Sequence, residues 1–222
     1  MKKIFLSLLL MGLAFAVFAQ TSTNGVGTIR ELSGEVELKH AGSASFTPAR
    51  AGSTVSKNTI ISTGFKSTAV IVIGSNTITV RPLTRLSLAE IISASDTETV
   101  NVNLQTGRVR VEVKPPAGTR ASTQVKSPSA TASVRGTTFE MDTASLYCAE
   151  GKVMFMGSDG VNVAVTGGSS SSVTADGASI EPAILAEADL MPPAPVGLGE
   201  SGEDISIQAA LTDNVQLDLT WN

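Results

Sequence analysis

Apolar and polar residues alternate with a period of two along most of this 222-residue chain. "GEVELK" sets Val36 and Leu38 on one face against Glu35, Glu37 and Lys39 on the other. "ETVNVNL" repeats the pattern through Val100, Val102 and Leu104, and "GRVRVEVK" through Val109, Val111 and Val113. Alternation of this kind writes a strand with one dry side and one wet side, as in antiparallel or solenoid-like sheets. "STAVIVIGSNTITVRP" departs from it, because Val70 to Ile73 is apolar on both faces. That run predicts a central strand covered on both sides, turning at "GSN" into Ile78 and Val80. A hairpin is predicted at Asp159-Gly160 and a further turn at Asp176-Gly177. "TGGSSSSVTADG" reads as a flexible loop, since it lacks the lysine and following helix of a phosphate-binding loop. Helical periodicity is nearly absent.

Short strands led by Gly34, Gly107 and Gly151 are unevenly spaced, so no fixed-period repeat is written. The fold class expected is all-β: an irregular β-roll or β-helix-like stack of short strands, forming one domain over residues 24–180. Residues 181–203 form a Pro/Gly-rich linker, with one or two helical turns in "EPAILAEADL". Alternation returns in residues 204–222, which predict a C-terminal β-hairpin with Ile205 and Ile207 on one arm and Val215, Leu217, Leu219 and Trp221 on the other. A lone hairpin is marginal in water and must dock on its own domain or on a partner. Val215, Leu217, Leu219 and Trp221 are therefore candidate partner contacts, acting by strand addition.

At the other end, Lys2 and Lys3 precede the apolar stretch Ile4 to Phe18 and the small-residue site "VFA". This predicts a cleaved secretory signal over residues 1–19, with a run too short to span a bilayer. Its removal takes two lysines and no acids, leaving 14 basic residues against 20 acids and a net charge of −6. An acidic exported chain with scattered basic residues is not a nucleic-acid binder, and no transmembrane segment is expected after signal cleavage. The single cysteine, Cys148, cannot form an internal disulfide and reads as a small buried apolar residue.

Residues 125–141, "VKSPSATASVRGTTFEM", begin after the pattern of a strand and then break it. Pro128 suits a strand start. Ala130, Ala132 and Val134 point one way, small enough for another sheet to approach closely. Gly136 permits a bend that a side chain would resist, and Phe139 and Met141 resume the apolar face. Arg135 is expected to fold over the bend and donate to carbonyls left unpaired there, with Thr137 and Thr138 beside it.

This segment resembles the signature of FecR-type domains, in which a small-residue strand runs into "VRGT" and then an aromatic residue. "GTIRELSGEVEL", "AGSTVSKNTIISTGFKSTAVIVI", "NTITVRPLTRLSLAEI", "VNLQTGRVRVEV" and "EGKVMFMG" resemble successive segments of the same family, so the similarity covers roughly residues 24–180. Val134, Arg135, Gly136, Thr137 and Phe139 are the family signature, with a structural role. The resemblance implies an all-β domain on the export side of a membrane. Some family members are sensors that relay an outer-membrane transporter's signal to an anti-sigma segment. Here the predicted signal peptide, with no internal membrane helix and no preceding cytoplasmic domain, departs from that plan. Other members are exported and joined to peptidoglycan-binding repeats, and no such repeat is found here.

Chemistry that would name a reaction is missing from the pattern. The lone histidine, His40, sits at a predicted strand end without a nucleophile nearby. Zinc wants several His or Cys ligands, so no metal and no cofactor are expected. Glu35 with Glu37, and Glu140 with Asp142, are same-face carboxylate pairs that a solvated strand face explains. The function expected is a non-catalytic binding or scaffolding protein of the bacterial envelope, periplasmic or at the cell surface. Its partner would be an envelope protein, with a cell-wall component or a place in a signalling system as alternatives.

Overall fold

The computed structural model describes residues 23–24, 26–94, 96–180 and 182–184. The predicted signal peptide, almost all of the linker and the predicted hairpin with Val215, Leu217, Leu219 and Trp221 lie outside the described residues. Within them the chain is all β. In order the strands are β1 (Thr23–Asn24), β2 (Gly27–Ser33), β3 (Val36–Lys39), β4 (Thr47–Pro48), β5 (Thr54–Val55), β6 (Ile60–Thr63), β7 (Thr68–Ile73), β8 (Asn76–Val80) and β9 (Arg85–Ala94). They continue as β10 (Thr97–Thr106), β11 (Val109–Val113), β12 (Arg120–Lys126), β13 (Ala130–Val134), β14 (Thr138–Met141), β15 (Ser145–Glu150), β16 (Lys152–Gly157), β17 (Asn162–Thr166), β18 (Ser169–Ser172) and β19 (Ala183–Ile184).

Two sheets share them. The first runs β4-β3-β6-β9-β10-β12-β13-β16-β17, with β1 also on β9, and the second runs β5-β2-β7-β8-β11-β14-β15-β18-β19. The chain therefore winds back and forth between two sheets that grow together along one axis, as a β-roll does. Neighbours are antiparallel except β10 and β12, which pair in parallel from Thr97↔Arg120 to Asn103↔Lys126. The inward faces of both sheets form one apolar core, with Leu86, Val102 and Phe155 from the first and Ile71, Val111 and Phe139 from the second. Within the described residues, the alternations read from the sequence point their apolar sets into this core, including Val36 and Leu38, Val109 to Val113, and Ala130 to Val134.

From β2 onward, each passage of the chain between the sheets contains a residue with positive φ. Most are glycines, which accept that conformation without a Cβ clash; Asn58, Lys66 and Leu83 are the exceptions. The glycine-led strands of the sequence are thus strands entered just after a change of sheet.

Two expectations are corrected. β7 is buried on one face only: Ala69, Ile71 and Ile73 are in the core, while Val70 and Val72 are half-buried on the outer side of the second sheet. "SSSS" is not a loop but strand β18, paired with β15 from Ser145↔Ser172 to Cys148↔Ser169 and largely buried. Hydroxymethyl side chains show no hydrophobic period, yet they fit where β15 and β19 lie close on either side. Ser171 Oγ donates to the carbonyl of Ile180 at 2.6 Å, which relieves part of the cost of burying it.

Candidate functional site

Val134 ends β13 in the first sheet and Thr138 begins β14 in the second, so Arg135, Gly136 and Thr137 carry the chain across. This is why an arginine and a glycine interrupt a strand pattern: two strands in different sheets have been written without a gap. Gly136 adopts φ 120°. Val134 and Phe139, 4% and 0% exposed, anchor the crossing on either side in the core.

Backbone groups at the corner are satisfied by other elements. The amide of Val113 donates to Thr137 O at 3.0 Å. The Thr137 hydroxyl donates to the carbonyl of Lys152 at 3.0 Å, tying the corner to the start of β16. A Cβ on Gly151 would lie 3.0 Å from Gly136 O, so the two crossings are pressed together. Arg135 takes no part: its side chain is exposed and, among the described residues, makes no hydrogen bond or ion pair. The expected donation to carbonyls at the bend is made unnecessary by Thr137, whose shorter hydroxyl reaches its acceptor from within the turn.

Arg135 instead stands at the rim of a depression of about 530 Å³ on the outer face of the first sheet. Ser122 of β12, Ser133 and Val134 of β13, Gly136 and Thr137 of the crossing, and Lys152 and Met154 of β16 complete the lining. Lys152 is also exposed and without an acidic partner among the described residues. Met154 is 39% exposed, a large apolar side chain among these polar ones. The depression thus offers a guanidinium fork, an ammonium and hydroxyls around a thioether, a set suited to a carboxylate carried on a partly apolar body. A smaller hollow of about 200 Å³ lies on the other side of Gly136, bounded by Lys114, Pro115 and Glu150. There Glu112 beside Lys114 holds its ammonium above the ordinary value.

The acids weighed as a catalytic pair are engaged otherwise. Glu140 is not on a solvated face: it is 5% exposed and accepts from Arg81 Nε and an Arg81 terminal nitrogen at 3.0 and 3.1 Å. Arg110 approaches it at 3.9 Å. Asp142 lies 3.5 Å from Arg108 and caps the β14–β15 turn by accepting from the amides of Ala144 and Ser145. Glu35 is exposed and His40 sits in the open turn after β3. Among the described residues no three His, Cys, Asp or Glu side chains cluster as metal ligands. No local pattern marks Lys152, Met154, Ser122 and Ser133 as neighbours of Arg135; strand register alone brings them together, with Ser133 opposite Gln124 and Met154.

Residues 59–154 match the family described as FecR protein. This stretch is a FecR domain. It contains every residue named above as lining the depression, while β1–β5 and β17–β19, which complete both sheets, lie outside the match. Two crystal structures of a candidate anti-sigma factor from Parabacteroides distasonis, at 1.65 and 2.50 Å resolution, are similar to this chain at 14% identity, with TM-scores of 0.46 and 0.45. Each comparison covers 56% of this chain and 59% of the other, so the chain spans about three fifths of the length of the solved structures it matches. No curated protein matches the chain.

Proposed function

We propose that this chain is a non-catalytic, exported binding or scaffolding protein of the bacterial envelope, and that its FecR domain makes a protein–protein contact through the Arg135–Lys152 depression. The observation that carries this reading is the outward display of two cations, neither paired with an acid among the described residues, at the corner where the family signature crosses between sheets. A residue kept only for folding would be expected to serve the bend; Arg135 serves nothing within the described residues. A depression of about 530 Å³ has the size of a small recognition site. Its lining holds no aromatic ring, which argues against the alternative of a glycan platform. A role as sensor in an envelope signalling system draws support from the FecR match and would use the same surface.

A photocrosslinking residue at Ser122 of the tagged chain, activated in its native cells, tests the reading. One dominant envelope protein is expected, with capture lost in Arg135→Glu/Lys152→Glu. Equal capture by that double variant would remove the depression as the contact, and capture of wall fragments alone would favour the glycan alternative.

A further inference from the structure

Charge is unevenly divided along this chain. All 16 lysines and arginines lie at or before Lys152, together with ten acids, whereas the residues from Val153 onward hold ten acids and no base. The net charge of −4 is the difference between a stretch at +6 and a stretch at −10. Seven of those last ten acids follow Ile184, with Glu200, Glu203 and Asp204 the densest group, flanked by Leu198 and Ile205.

The described chain ends close to the depression. Ile184 pairs with Ser169, and Ser169 stands three residues past Thr166, the partner of Lys152 across β16 and β17. Strand spacing and chain reach place Ile184 within about 20 Å of Lys152. The 16 residues from Ile184 to Glu200 reach up to about 50 Å when extended, so the acidic group has ample length to arrive there.

We propose that the Arg135–Lys152 depression holds the chain's own acidic segment, centred on Glu200–Asp204, as an internal ligand. The inference rests on the reading of the depression as a contact surface. One carboxylate sits in the Arg135 fork, a second meets the Lys152 ammonium, and a neighbouring apolar side chain covers Met154. Tethering sets the local concentration of such a ligand in the millimolar range. An acidic partner must then displace it, so the contact is made only with partners that bind more strongly or arrive tethered themselves.

Carbodiimide coupling of the full chain, which joins a carboxylate directly to a lysine amine, reads the contact when followed by peptide mass spectrometry. Lys152 is expected to couple to Glu200, Glu203 or Asp204, with a yield unchanged on serial dilution. The yield should fall several-fold at about 0.5 M salt, where the screening length shrinks to roughly 4 Å. Arg135→Glu, which keeps the Lys152 amine and leaves the melting curve unchanged, should lower the yield several-fold, and Arg135→Lys should restore most of it. Coupling of Lys152 only to acids of the folded strands would overturn the proposal. So would coupled pairs that join light to heavy chains in an isotopically mixed sample. If coupling fails while the double charge reversal still abolishes partner capture, the internal ligand falls and the contact surface stands; if both fail, both fall.

Discussion

At the scale of single residues, the corner at 135–137 separates two demands that a single motif had merged. Gly136 is required by its backbone: nothing but the Pro115 ring, 3.8 Å away, would crowd a Cβ there, yet φ is 120°. Gly136→Ala should therefore cost about 1–3 kcal/mol, from conformation alone. Gly151 carries both penalties, a φ of 88° and a Cβ 3.0 Å from Gly136 O, so Gly151→Ala should cost more than Gly136→Ala in paired urea titrations. Arg135→Ala, by contrast, should shift stability by no more than about 0.5 kcal/mol, as for other surface changes. The bend was legible in the sequence because glycine after a β-branched run has few other uses. The direction of the guanidinium was not, since it depended on Thr137 finding the Lys152 carbonyl 15 residues away. Cys148 behaves as read, fully buried against the second sheet, and burial pushes its thiol above the ordinary value of 9.0. The folded state holds the proton more tightly, so this contribution is complete below the ordinary value and is lost as pH rises through the folded one. Urea midpoints should decline above about pH 9, and Cys148→Ala should lack that part of the decline.

At the scale of strands, the alternation of apolar residues predicted β3, β10, β11 and β13 with their inward faces correct, because each has one sheet face against the core. The rule failed where burial does not require apolarity. β18 buries three serines, Ser169 to Ser171, and β8 turns Asn76 inward, fully buried, where its side-chain oxygen accepts from Thr123 of β12. That hydrogen bond joins the two sheets through the core. Asn76→Ala should destabilise by about 1–3 kcal/mol, since the Thr123 hydroxyl is left without a partner in a dry site. Replacing both, as Asn76→Leu with Thr123→Val, should recover a large part of the loss, and a double-mutant cycle by urea unfolding would show the coupling. The failure on β7 has the opposite cause: Val70 and Val72 were read as core residues, but they lie on an outer face where β-branched side chains fit a pleated surface without full burial.

At the scale of the whole molecule, the sheets have four edges among the described residues, of which β4, β5 and β19 are only two residues long. β17, Asn162–Thr166, is the longer one, and it carries no charge and no proline along its open side. Such an edge is a template for unwanted pairing. Ala164→Lys, on its exposed face, should reduce light scattering during mild heating while leaving the melting temperature unchanged. The all-β class and the stacking of short strands were legible from the alternation together with the glycines that lead several strands. The charged depression was not, because its residues come from three strands whose register no local pattern records.

The order of strands in both sheets follows the order of the chain, apart from the exchanges of β3 with β4 and of β2 with β5 at one edge, and from the short β1, which pairs with the later β9. From β4 onward, every strand is laid against one already present. A polypeptide delivered amino-terminus first, from a ribosome or through a translocation channel, could therefore assemble as it arrives, each new segment docking on a finished ledge instead of waiting for a distant partner still to come. The architecture suits a protein that must fold while only part of it has yet emerged.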